Sequence, residues 1–138
     1  MRIFVSFLLF ALLVACAQKK EQGLQDAAET YVKSLARGDT NAMLSMVTAS
    51  NQMSFFDAAR GMDKLRVSGV ELDQIVPDAN GKKAFMSLRM ELFRPESLGL
   101  ESVTRMYSFV YEEKAKRWLI DEKSPLGHQL NQKSTKAP

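Results

Sequence analysis

At Gly61 the spacing of the apolar residues changes, and this change constrains the fold more than any other feature of the chain. Before it, Leu24, Ala27, Ala28, Tyr31, Val32, Leu35 and Ala36 recur at helical spacing and share one face. Glu29, Lys33 and Arg37 fall on the opposite face, with Glu29 four residues before Lys33. Gly38 can supply a left-handed C-cap, and Asp39 or Thr40 can cap a second short helix through Ala42, Met43, Met46 and Val47. Ser50 or Asn51 can cap a third, carrying Met53, Phe55, Phe56 and Ala59. After Gly61 the period is two. Leu65 and Val67 alternate, Val70 and Leu72 continue on the opposite parity, and the shift at Ser68-Gly69 predicts a bulge. Pro77-Asp78-Ala79-Asn80-Gly81 predicts a hairpin turn. Next, Ala84, Met86, Leu88, Met90 and Leu92 share one strand face, and Ser87, Arg89 and Glu91 the other. Arg94 to Glu101 reads as a loop, and a third strand follows over about 103–111. Tyr107, Phe109 and Tyr111 are expected to face inward there, because aromatic rings bury more area. A charged turn over 112–116 leads to the last strand, 117–121. Helices followed by hairpin strands predict an α+β fold, with N-terminal helices packed on a curved antiparallel sheet of about four strands.

The first residues follow another pattern. Met1-Arg2 is a short basic start, and Ile3 to Val14 is apolar except for Ser6. That run is shorter than the roughly 20 residues a membrane-spanning helix needs. It has the form of a secretory signal. Leu13-Val14-Ala15-Cys16 resembles the lipobox of bacterial lipoproteins, in which the cysteine is acylated on sulfur and becomes the new N-terminus. Cys16 is the only cysteine, so a disulfide within the chain is ruled out. The resemblance implies a signal peptide over 1–15, acylation of Cys16, and a lipid bilayer as first partner. It places the protein in the bacterial cell envelope, on the periplasmic face of the outer membrane if there are two membranes. The remainder divides into a tether at 16–23, a domain at 24–124 and a polar tail at 125–138.

Composition excludes several functions. The whole chain carries +3, and losing Arg2 leaves +2, near balance. A nucleic-acid partner is not expected, because that calls for basic residues clustered on one face. Lys19-Lys20, Lys82-Lys83 and Lys114/Lys116/Arg117 read as solvated tether or turns, with Lys19-Lys20 also able to touch anionic lipid. No spacing of His, Cys, Asp or Glu suggests a metal, and the methionines, Met43 and Met46 among them, read as core filling and not as a soft-metal site. No glycine-rich phosphate loop is present, and no cofactor is expected. The single histidine, His128, lies beyond the last strand in the polar tail, a poor place for a general base.

Three pieces together resemble the nuclear-transport-factor-two-like superfamily, the cone-shaped α+β fold shared with SnoaL-like proteins. They are the amphipathic helix ending in Ala36-Arg37-Gly38-Asp39 with the short helix after it, the long hairpin over 64–76 and 82–94, and the closing Glu112 to Asp121 segment with its charged turn and Trp118-Leu119-Ile120-Asp121. The resemblance implies a cone whose interior, in the enzymes of the superfamily, holds a carboxylate with a His or Tyr. Four residues are candidates for a pocket or partner surface here: Tyr31, Arg89, Arg105 and Tyr107. Arg89 and Arg105 lie on neighbouring strands and can form a carboxylate-binding pair. The plainer reading is an exposed face with cross-strand ion pairs to Glu91 or Glu71. Phe85 and Phe93 share that face and suggest a partner or homodimer surface, unless the tail or the 95–101 loop covers them. The expected function is a non-catalytic lipoprotein domain binding a protein partner or a small apolar ligand. The alternative is an isomerase- or hydrolase-like enzyme of the same superfamily acting on a small hydrophobic substrate.

Overall fold

A computed structural model describes residues 2–129, with side chains from residue 8 onward. Its elements are α1 (Arg2–Arg37), α2 (Thr40–Ser45), a 3-10 turn (Ala49–Asn51), α3 (Gln52–Arg60), β1 (Arg66–Pro77), β2 (Lys83–Arg94), β3 (Gly99–Glu112) and β4 (Arg117–Ile120). The strands form one antiparallel sheet in the order β1-β2-β3-β4. The α+β architecture expected from the change of period is the one observed.

Helix α1 lies across one face of the sheet. Leu24, Ala28, Tyr31 and Leu35 are buried along it, as their spacing requires. The segment 16–23, expected as a tether, is helical and continues α1 without a break. Its sequence permits this, since Ala, Gln, Lys and Glu all favour helix. Packing adds a second reason, because Trp118 Nε1 donates to the Lys20 carbonyl at 3.0 Å. The helix stops at Gly38, where φ is 66° and a side chain would be strained. Asp39 then caps α2 by accepting from the Ala42 amide at 3.0 Å. No helix among the described residues is long and apolar enough to cross a membrane.

Helix α3 buries less than its composition suggests. Phe55 alone is fully buried, while Met53 and Phe56 point outward. Asn51 does not cap α3 with its side chain; its Nδ2 instead donates to Asp121 Oδ1 at 2.8 Å and ties the turn to the end of β4.

The β1–β2 register slips between Val67 and Gly69, where a bulge was expected, and again between Leu72 and Gln74. Such bulges bend and twist a strand, so β1 curls with the sheet around α1. Ala84, Met86, Leu88, Met90 and Leu92 of β2 are buried against α1, as are Tyr107 and Phe109 of β3. The open edge of β4 is closed by 46–48, through Ile120 N–H to Met46 O (2.7 Å) and Thr48 N–H to Ile120 O (2.9 Å).

The first residues of the segment read as a polar tail are held against the sheet. Pro125 is buried, and the His128 backbone exchanges two hydrogen bonds with Met106 at 2.9 and 3.0 Å. This segment takes over the β3 edge where the short β4 ends, pairing the outward backbone groups of Met106 and Ser108. The rest of the expected tail, 130–138, lies outside the described residues.

Candidate functional site

Two of the four candidate residues meet inside the cone. Tyr31 comes from α1 and Tyr107 from β3, and both are fully buried. Their ring centroids are 5.3 Å apart and 63° inclined, an edge-to-face pair. Both hydroxyls donate to one acceptor, the carbonyl oxygen of Pro125, each at 2.8 Å. A carbonyl has two lone pairs, so this single group satisfies both phenols. Methionine 90 completes the surroundings, with its sulfur 4.0 Å from the Tyr107 hydroxyl.

Burial pushes both phenols well above the ordinary tyrosine range, and each feels the nearby Glu122 in the same sense. Arg105, beside Tyr107, acts in the opposite direction but does not outweigh burial. These hydroxyls are therefore neutral donors at physiological pH. The sign of the linkage follows. The folded-state values lie above the unfolded value of about 10, so the stabilisation is complete below that pH. Above it, the unfolded chain releases protons that the folded chain keeps. We expect unfolding free energy to fall above pH ~10, by up to about 1.4 kcal/mol per pH unit for each of the two tyrosines. Urea midpoints between pH 9 and 11.5 would show the slope, and Tyr31→Phe with Tyr107→Phe would flatten it.

The two arginines do not come together as a carboxylate-binding pair. Leu88 stands opposite Arg105 in the ladder, and Thr104 opposite Arg89. Directly opposed residues share a face, so Arg105 lies on the Tyr107 side of the sheet and Arg89 on the other. A difference of one residue in register separates them. Arg89 instead reaches Glu71 and Asp73, both at 3.8 Å and all well exposed, which is the cross-strand arrangement expected as the plainer reading. The Arg105 Nε is buried and has no hydrogen-bond partner among the described residues.

Glu122 escaped the sequence reading, which also placed His128 only in the polar tail and not against the sheet. Glu122 is buried, and its Oε1 accepts from the Ser108 amide at 2.8 Å, standing in for a strand carbonyl. His128 Nδ1 lies 2.8 Å from the same oxygen. The imidazole is half exposed, and its carboxylate partner is committed to the backbone. This pair latches the C-terminal segment onto β3. One sequence signal could have pointed to the segment: two inward tyrosines need acceptors, and no apolar strand face supplies one.

A groove of about 310 Å³ opens beside this interior, between the end of α1, α2, α3 and the start of β1. Leu35, Met43, Met62, Leu65, Val67 and Pro125 give it apolar walls, with Arg37, Asp63 and Arg66 also lining it. Neither tyrosine lines it, whereas Pro125, whose carbonyl both hydroxyls share, does. Among the described residues no three His, Cys, Asp or Glu side chains gather as a metal site. Met43, Met86 and Met90 are core residues. On the far face of the sheet Val76 and Phe85, cross-strand neighbours, are each 45% exposed.

No protein-family model matches the sequence, and no curated protein is significantly similar to it. Solved structures are similar in fold. A putative polyketide cyclase from Xanthomonas campestris pv. campestris superposes with TM-score 0.58 and 13% identity, over 74% of this chain and 90% of that one. A SEC-C motif containing protein from Rhodopseudomonas palustris gives 0.56 and 13%, over 72% of each chain. A ketosteroid isomerase-like protein from Erwinia carotovora atroseptica gives 0.50 and 13%, over 72% of this chain and 88% of that one. Likeness at such identity concerns the fold and not the chemistry. The element order, the curved four-stranded sheet and these superpositions together show that the chain has the nuclear-transport-factor-two-like, SnoaL-like α+β cone.

Proposed function

We propose that this chain is a lipid-anchored lipoprotein of the bacterial envelope whose cone is a binding module and not a catalyst. The observation that carries the reading is the double hydrogen bond at Pro125. It occupies the two phenols that a superfamily enzyme could use inside the cone, and it does so with the chain's own backbone. A general acid or base must reach a substrate, and a pinned phenol with a raised pKa does not.

Leu13-Val14-Ala15-Cys16 supports the anchor, and Cys16 is exposed on α1. Acyl chains on one residue add about 0.8 kcal/mol per buried CH₂, enough for stable attachment when several are present. The helix from Cys16 to Lys20 rises only about 6 Å, so the domain stands close to the bilayer on a stiff stalk. The exposed Val76 and Phe85 favour a protein partner on the sheet face away from α1. The enzyme alternative draws on the fold shared with cyclase- and isomerase-like proteins, and it requires the Pro125 segment to leave the tyrosines.

Intact-mass spectrometry of the protein from a bacterial membrane fraction tests the anchor. The expected mass is that of residues 16–138 plus acyl groups, with the added mass on the Cys16 peptide and absent from Cys16→Ser. A membrane-derived protein with an unmodified Cys16 would refute it.

A further inference from the structure

The basic pairs that look like unrelated turns in the sequence come together in the fold. Lys20 Nζ lies 4.1 Å from the centroid of the Tyr111 ring and 5.8 Å from that of Trp118. A Cβ at Gly81, in the β1–β2 turn, would lie 3.9 Å from the same Nζ. Tyr111 N–H donates to Lys82 O at 2.8 Å, and Glu112 pairs with Arg117 across the β3–β4 turn. Thus the stalk of α1, the β1–β2 turn and the β3–β4 turn meet at one end of the cone. The opposite end holds Arg37, Gly38 and the start of β1.

That end exposes Lys19, Lys82, Lys83, Lys114, Lys116 and Arg117. Among the described residues none of these six has a carboxylate within 4 Å. The acidic residues nearby are Glu21, Asp78, Glu112 and Glu113, and Asp78 is turned onto the amides of Lys82 and Lys83. Lys116 has φ 51°, a left-handed turn position where glycine or asparagine is the relaxed choice. Leu98 holds the same left-handed conformation with φ 50°, so the turn geometry is not specific to charge, and what Lys116 adds to this end is its exposed cation.

Resting on the lipid-anchor reading, we infer that this basic end is a docking face for an anionic lipid surface. Cys16 projects from the same end, one helical turn beyond Lys20, so the acyl anchor delivers these cations to the headgroups. Each basic residue held near an anionic surface is worth about a fivefold shift in binding. The anchor sets where the domain is; the basic end would set how it stands, turns against the membrane and the 37–66 groove facing away.

The test uses the acylated protein, reconstituted in vesicles of phosphatidylcholine alone or with phosphatidylglycerol. Lysines are labelled with an uncharged acetylating reagent and read by peptide mass spectrometry. Labelling of Lys82, Lys83, Lys114 and Lys116 should fall at least about fivefold in the anionic vesicles and recover in high salt. Lys33 and Lys64 should change little. The Lys82→Glu, Lys114→Glu double variant should restore labelling of Lys83 and Lys116. Equal labelling of the turn lysines in both lipids, with acyl mass present on Cys16, overturns the docking face and leaves the anchor standing. An unmodified Cys16 peptide overturns the anchor and the docking face with it.

Discussion

Ending the chain at Lys123 is expected to destabilise the domain by about 5 kcal/mol, from two buried hydroxyls left unpaired at ~1–3 kcal/mol each and the lost burial of Pro125 and Leu126. Tyr31 and Tyr107 would keep their positions on α1 and β3 but lose their one acceptor. The Met106 amide and carbonyl would lose His128 as well. Domains of this size are stable by only about 5–15 kcal/mol, so the shortened chain should fail to fold or melt with a much earlier urea midpoint. A milder version separates the causes. Tyr31→Phe combined with Tyr107→Phe removes both donors while keeping the rings, and costs about 1–3 kcal/mol, much of it from the unpaired Pro125 carbonyl. A shortened chain with a midpoint close to that of the full chain would mean the segment is dispensable.

The second large effect concerns the joint between stalk and sheet. Trp118→Ala should cost about 4 kcal/mol, the range for emptying a large aromatic site in a core. Trp118 is 5% exposed, meets Tyr111 edge-on at 5.2 Å and holds the Lys20 carbonyl through Nε1. Trp118→Phe keeps most of the area and loses the hydrogen bond, and should cost about 1–2 kcal/mol. The two variants should differ locally too. In Trp118→Ala the amides of 20–24 should exchange faster than those of 28–35, because the first turn of the packed helix loses its clamp. Equal protection along α1 in that variant would show that Trp118 does not hold the stalk.

Much of this fold was legible in the residues. The α1 face from Leu24 to Leu35, the bulge at Val67/Gly69 and the buried row from Ala84 to Leu92 followed from periodicity, and the inward Tyr107 and Phe109 from the larger area that aromatic rings bury. Tyr31 and Tyr107, two of the four candidates, both lie in the interior. Three features were missed, each for a physical reason. Arg89 and Arg105 part company because Arg105 has the inward parity of Tyr107 and Arg89 the outward parity of Ser87 and Glu91, which the strand faces already imply. Phe56 and Met53 stay exposed because α3 touches the core along one narrow stripe at Phe55. Pro125 matters through its backbone carbonyl, which no side-chain pattern reports. The basic residues were visible as pairs, but only the meeting of α1 with two turns makes them one surface.

Amide hydrogen exchange at Met106 and Ser108 tests most directly whether the cone is closed by its own chain. Met106 donates to His128 O and Ser108 to Glu122 Oε1, so both amides report on the 121–128 segment. If the segment is a fixed part of the domain, both should exchange only through global unfolding, with the same free energy as Met86 and Leu88 in β2. Fast exchange at Met106 and Ser108 while β2 stays protected would contradict a closed cone. The segment would then open as a lid, free both phenols, and shift the balance to the enzyme.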